Sequence, residues 1–335
     1  MKVFVSIPNN SDIQKTFLTE KAKQYMEEKI EVVYSPLDRH LTIEELSFYA
    51  GDADVIMTCW NHPYITAESL ENTPVKIIAH TGGTVKSLVS PEVFDKGIKV
   101  ISGNNLYADS VAEGVLSYLF LALRRLPDYV YTLRNGGWEL PEKESFTEGL
   151  YDQTVGIVGM GAISQRIIKL LQPFHVNLKL YSGYPIPKDF LLQNNAVQTS
   201  LEEIFSTCKI VSLHSANTAR TNGMIGKKHF DLLQDNAIFI NTARGEIVKE
   251  AEMIEALKEN RFRAVLDVFC NEPLEADSPL RNLPNVYCIP HKAGPTIDRR
   301  PLVTMSLIDD IIRFSKGQTM THEINKVHAA RMSTV

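Results

Sequence analysis

Gly159 and Gly161 have the type and spacing to cradle a phosphate; they sit in Val155-Gly156-Ile157-Val158-Gly159-Met160-Gly161-Ala162-Ile163-Ser164. A β-branched run meets two close glycines and then an apolar pattern at Ile163, Ile167, Ile168 and Leu171, which reads as buried strand, tight turn and helix. Gly159 can take the backbone angles of the turn, and Gly161 lets the main chain approach a pyrophosphate with no Cβ in the way. The helix opening near Ala162 adds unpaired N–H groups and the positive end of its dipole. Ser164 stands where the G-x-G-x-x-G pattern has its third glycine, and it is small enough to keep helix and strand close. By itself, such a turn fits any α/β protein as well as a cofactor site.

The elements that must hold this turn can be read from the rest of the chain. A length of 335 residues suggests about two domains. The 44% apolar and 22% charged content is that of an ordinary globular protein with a sizeable core. A net charge of -5 lacks the basic excess that a nucleic-acid partner requires. Cys59, Cys208, Cys270 and Cys288 lie far apart without C-x-x-C pairing, which predicts small core residues in a reducing compartment and no zinc site. The start has no long apolar leader segment and no later run approaches a membrane span, so a soluble cytoplasmic protein is expected.

Short β-branched runs alternate with helical patterns. Strands are predicted at 2–7, 31–34, 54–58, 75–79 and 98–102, with a capping box at Thr42-Ile43-Glu44-Glu45 starting one of the helices. One long helix is expected from Ala108 to about Leu133, bent at Pro127, long enough to cross between domains. After the glycine turn, six strands are expected at 155–158, 176–181, 210–213, 237–241, 264–268 and 286–289, with a helix starting at Ser200-Leu201-Glu202-Glu203. A helix over 296–314 is stopped by Gly317, and a polar segment ends the chain. The alternation argues for α/β architecture with parallel, doubly wound sheets.

Several further segments occur in one order: Ser110-Val111-Ala112-Glu113, Gly137-Trp138, the glycine turn, Val211-Ser212-Leu213-His214, Ile240-Asn241-Thr242-Ala243-Arg244-Gly245, Leu266-Asp267-Val268-Phe269 with Glu272-Pro273, and Ile289-Pro290-His291. Together, over about residues 75 to 325, they resemble the D-isomer-specific 2-hydroxyacid dehydrogenase family. The resemblance implies a Rossmann dinucleotide-binding domain (104–295) inserted into a flavodoxin-like substrate domain (1–103 plus 296–335), with the active site in the cleft. It further implies NAD or NADP as cofactor, a small 2-hydroxy or 2-oxo acid as substrate, and a homodimer.

What this chemistry demands explains the residues the resemblance singles out. Reduction of a 2-oxo acid needs a hydride at the carbonyl carbon, a proton for its oxygen and a grip on the carboxylate. Arg244 would clasp the carboxylate through its planar fork, although a lone arginine is otherwise a surface ion-pair partner. His291 would exchange the proton. Glu272, 19 residues earlier (291 − 272), would accept a hydrogen bond from the other ring nitrogen, orienting the ring and favouring its charged form. The cofactor contacts implied are Gly159, Gly161, Ala162, Ile163, Ser182, His214, Thr242, Ala243, Asp267 and Gly294, with Asp267 holding the nicotinamide carboxamide.

Two departures from the family pattern stand out. Ser182 replaces the acidic residue that usually binds the adenosine ribose, and no arginine follows in Gly183-Tyr184-Pro185; Lys188 is the nearest cation in sequence, so NAD and NADP both remain open. Gly114 stands where many relatives carry histidine. For the substrate, the resemblance points to the loop His80-Thr81-Gly82-Gly83-Thr84, whose Gly82 and Gly83 amides would meet the carboxylate together with Arg244, an ordinary strand-end turn being the other reading; Cys59-Trp60-Asn61-His62, at another strand end, would wall the cleft, or its tryptophan would serve packing. The competing reading is a nucleotide-sensing, corepressor-like binding protein on the same fold.

Overall fold

The computed structural model describes residues 1–141 and 146–334. Five strands open the chain: β1 (Lys2–Val5), β2 (Glu31–Tyr34), β3 (Val55–Thr58), β4 (Ile77–His80) and β5 (Lys99–Ser102). Seven follow: β6 (Thr154–Val158), β7 (Asn177–Tyr181), β8 (Ala196–Gln198), β9 (Ile210–Leu213), β10 (Ile238–Asn241), β11 (Arg263–Leu266) and β12 (Val286–Cys288). A short strand, β13 (Glu323–Ile324), lies in the tail.

The chain divides into two compact units, residues 1–107 with the tail from 295, and residues 108–294. The boundaries expected from sequence were 103/104 and 295/296. In the first unit the sheet runs β13-β5-β4-β3-β1-β2, parallel except for β13, which pairs antiparallel to β5. Apart from β13 this is the flavodoxin-like order. Strands β3 and β4 are buried along their whole length because such a sheet is covered on both faces. The other unit has an all-parallel sheet in the order β12-β11-β10-β9-β6-β7-β8. The strand order reverses between β6 and β9, and open sheets of this kind bind ligands at such a point. One face packs Phe205, Phe230, Phe239 and Phe262, with the rings of Phe230 and Phe262 stacked at 5.6 Å; the other packs Ile157, Ile167, Ile168 and Leu171 with Val115, Leu119 and Leu123.

Four expectations need correction. The second sheet has seven strands where six were expected, because β8 is a three-residue, largely exposed edge strand with no apolar alternation to betray it. The expected long helix is two, Asn104–Leu123 and Leu126–Arg134, separated by Arg125 in the left-handed region at φ 52°. Pro127 has no N–H to offer the carbonyl of Leu123, and that carbonyl accepts from the Glu148 amide instead, at 3.0 Å. The first of these helices is also long and apolar enough to cross a membrane, contrary to the sequence reading. Its Val111, Val115, Leu119 and Leu123 are core residues of the second unit, while Asp109 and Glu113 face outward, so core packing accounts for the composition.

The tail is the fourth. Helix Arg300–Ser315 ends as foreseen at Gly317, which has φ +68°; the Gly317 amide donates to the Phe314 carbonyl and Gln318 to Arg313, each at 2.9 Å. The polar segment beyond holds β13 and a helix, Lys326–Arg331. Asp310, fully buried, sets this up by accepting from the amides of Thr321 (2.8 Å) and His322 (2.6 Å) and pairing with Arg313 at 3.0 Å. Asp310→Ala leaves those donors without an acceptor, and a cost of about 3 kcal/mol in unfolding free energy is expected, together with faster amide exchange at Glu323 and Ile324. An unchanged denaturation midpoint would show that the tail is held by other means.

Candidate functional site

Each candidate residue of the second unit lies at or just beyond the carboxyl end of a parallel strand. Gly159 follows β6, Ser182 follows β7, His214 follows β9, Thr242 to Arg244 follow β10, Asp267 follows β11, and His291 and Gly294 follow β12. Gly159 has φ +103°, and a Cβ there would stand 2.6 Å from the Ser215 amide nitrogen and 2.7 Å from the His214 carbonyl carbon. The turn after β6 therefore presses directly on the chain leaving β9. Gly161 is the opposite case: a Cβ there meets nothing within 4 Å, so the face of the turn at the start of helix Ala162–Leu171 is open. Buried Ser164 donates its hydroxyl to the Gly159 carbonyl at 2.8 Å and locks helix to turn. A close-packed first glycine, an open second one and a helix N-terminus form a cradle that fits a dinucleotide pyrophosphate.

The turn after β10 aims Arg244. Asn241 braces it, accepting from the Ala243 amide (3.0 Å) and donating to the Arg244 carbonyl (3.1 Å). At Gly245 a Cβ would fall 2.0 Å from the Phe269 carbonyl carbon, so the turns after β10 and β11 lie backbone to backbone. The Arg244 guanidinium gives one bond, to the Ala243 carbonyl at 2.7 Å, and forms no ion pair among the described residues. Burial pulls its pKa down while the charges of Glu272 and Glu246 pull it up. Its remaining donors are free to meet an anion.

Glu272 reaches His291 as expected, Oε2 to Nδ1 at 2.7 Å. Its Oε1 accepts from the Phe269 amide at 3.0 Å, which fixes the carboxylate to the loop after β11. Facing a carboxylate oxygen, Nδ1 carries the hydrogen, and Nε2 is left as the atom that can give or take a proton. The imidazole is half exposed, and the His291 amide is tied to the Asp267 carbonyl at 2.9 Å.

Asp267 is buried and already engaged. Its carboxylate accepts from the Lys292 amide (2.7 Å), the Ala293 amide (3.0 Å) and the Tyr118 hydroxyl (2.9 Å), and burial pushes its pKa up against those donors. It thus fixes the segment that carries His291. His214 is buried between Ser212, 2.7 Å from its Nε2, and Thr242, 3.4 Å from its Nδ1, so it ties the ends of β9 and β10 together. Ala162 and Ile163 open the helix after the glycine turn, and Ala243 is buried under Arg244.

In the other unit, Gly82 and Gly83 follow β4. A Cβ on Gly82 would fall 2.2 Å from His80 Nε2, so the buried imidazole fills the space a side chain would need; Gly83 lies against Tyr107. Trp60 packs edge to face on Phe17 at 5.1 Å. Sequence reasoning missed the braces Asn241, Gly245 and Tyr118. The first two lie inside motifs it quoted, and Tyr118 lies on the buried stripe of a helix, 149 residues from its partner.

Comparison with known proteins places the chain in a family. A family model described as D-isomer specific 2-hydroxyacid dehydrogenase, NAD binding domain, matches residues 116–293. A D-3-phosphoglycerate dehydrogenase of Methanocaldococcus jannaschii is 31% identical over 85% of this chain, which spans only 54% of that protein. A glyoxylate reductase of Thermofilum pendens is 30% identical over 88% of each chain. The structure of a D-isomer specific 2-hydroxyacid dehydrogenase from Lactobacillus delbrueckii ssp. bulgaricus, in its NAD complexed form, superposes with a TM-score of 0.78 at 20% identity, covering 97% of this chain and 100% of that one. At that identity the likeness is one of fold.

The buried histidines set a response to acid. Burial lowers His62 from 6.5 to about 4, and His80 and His214 from 6.5 to about 3. Each is neutral in the fold at pH 7, while the unfolded chain takes up protons first as the pH falls. Stability present above about pH 6.5 is therefore lost progressively as the pH drops toward the folded values. Melting temperature is expected to fall from pH 7 to pH 4.5, and His214→Gln should flatten that slope; an identical slope in the variant would exclude His214 as a contributor.

Proposed function

This chain belongs to the D-isomer-specific 2-hydroxyacid dehydrogenase family, and we propose that it interconverts a small D-2-hydroxy acid and its 2-oxo acid with NAD or NADP. The observation that carries the reading is the 2.7 Å bond between Glu272 and His291, which leaves Nε2 unengaged, in the same unit as a guanidinium with unused donors. When bound, the nicotinamide supplies or takes the hydride.

Arg244 binds the substrate carboxylate in two hydrogen bonds and polarises the adjacent carbonyl. Desolvation strengthens this attraction, and the partial burial of the guanidinium provides it. In reduction, His291 Nε2 gives its proton to the carbonyl oxygen; in oxidation it takes the hydroxyl proton back. Glu272 holds the ring in the tautomer that presents Nε2. Asp267 keeps the His291 loop in place through the Lys292 and Ala293 amides. Relatives described as D-3-phosphoglycerate dehydrogenase and glyoxylate reductase suggest substrates of that size.

A panel of 2-oxo acids, including glyoxylate, hydroxypyruvate, 3-phosphohydroxypyruvate and pyruvate homologues, tested with both reduced cofactors, is expected to reveal turnover. Binding of cofactor with silence from every acid would favour a nucleotide sensor instead. Arg244→Ala is expected to lower kcat/KM by about 10²–10³-fold, the loss typical of one preorganised donor group. His291→Asn should lose about 10²-fold or more in rate; retention of the parent rate would remove the histidine from the reaction.

A further inference from the structure

The end of β7 has a feature that its own sequence does not disclose. Ser182 lies 21 residues after Gly161 (182 − 161), where a dinucleotide fold commonly places the acid that binds the adenosine ribose. The residue after it, Gly183, is covered by an arginine from elsewhere. A Cβ on Gly183 would stand 3.1 Å from Arg220 Nη1, 3.3 Å from Cζ and 3.4 Å from Nη2, so the guanidinium occupies the space a side chain at 183 would take.

Arg220 is carried by the loop after β9, and that loop is braced. The Thr221 hydroxyl accepts from the Thr218 amide (2.9 Å) and donates to the Ala216 carbonyl (2.5 Å). The Asn222 amide closes on the Thr218 carbonyl (2.9 Å), and Gly223 is tied to the Glu246 carbonyl (2.8 Å). Arg220 is exposed and has no ion-pair or hydrogen-bond partner among the described residues. The Ser182 hydroxyl accepts from the Tyr184 amide at 3.2 Å, which leaves its own hydrogen to donate.

We propose that Arg220 and Ser182 form a receptor for the 2′-phosphate of NADP(H), giving this chain a preference for the phosphorylated cofactor. This rests on a dinucleotide being seated on the Gly159–Gly161 turn. A guanidinium clasps a phosphate through paired, charge-assisted bonds, and a hydroxyl adds a third donor. The missing carboxylate acts in the same direction twice: a serine at 182 does not repel a phosphate dianion, and it lacks the paired acceptor oxygens that would grip a bare 2′-hydroxyl. Glycine at 183 is what lets an arginine 37 positions later (220 − 183) reach this place.

The test is equilibrium titration of the full chain with NADPH and with NADH, followed by nicotinamide fluorescence with no substrate present. NADPH is expected to bind at least about tenfold more tightly, which is about 1.4 kcal/mol. The advantage should shrink as salt rises. Arg220→Ala should remove most of it while leaving NADH affinity within about twofold, since charge-assisted bonds are the stronger kind. Arg220→Lys should keep part of it, and Ser182→Asp should turn the preference toward NADH. Far-UV circular dichroism checks that the variants fold. Equal or tighter NADH binding by the parent chain, or an unaltered ratio in Arg220→Ala, overturns the proposal alone. If neither nucleotide binds the parent chain, the dinucleotide reading falls and takes this one with it.

Discussion

The pressure of the β6 turn on the chain leaving β9 is the constraint from which the rest of the second unit follows. Gly159 can sit against His214 and Ser215 only without a side chain and only at a positive φ. That contact closes the gap between the two strands at which the sheet reverses its winding direction, and it leaves the far side of the turn, at Gly161, open. Backbone N–H groups at the head of the following helix then face free space, where a diphosphate can take the place of water.

Along the same sheet edge, Arg244 and His291 are aimed by the residues beside them. Asn241 shapes the turn that carries Arg244, Gly245 packs that turn on the next, and Asp267 holds the amides beyond His291. Asp267 is a charge kept in a buried place by three hydrogen-bond donors, and the cost of holding it there is why its carboxyl is shifted upward. Positional accuracy of this kind matters because displacement of a catalytic group by about 1 Å can cost about a hundredfold in rate.

Much of this was legible in the sequence, because the elements involved are regular. Buried parallel strands are short β-branched runs, and nearly all were found within a residue or two of their ends; β2 and β9 were placed at their observed bounds. The glycine turn was legible since it follows a buried strand directly, while the Arg244, Glu272 and His291 segments were singled out by the family resemblance. What escaped lacked a local signal. Strand β8 is three residues long and largely exposed. The break at Arg125 depends on a carbonyl being satisfied by Glu148, well downstream. Strand β13 depends on a buried aspartate that serves the amides of Thr321 and His322. Arg220 reaches Gly183 only through the folding of a distant loop, and no window of sequence around Ser182 contains it.

The glycine at 245, whose missing Cβ would fall 2.0 Å from the neighbouring backbone, divides this unit into parts that differ in their freedom to change. Where main chains touch, as at Gly159 and Gly245, any larger residue must push strands apart, and the fold itself resists exchange. Side chains such as Ser182 and Arg220 hang from the rim of that rigid frame and can be swapped at little expense to folding. A lineage could thus retool which nucleotide it accepts many times over while the frame beneath stays as it is.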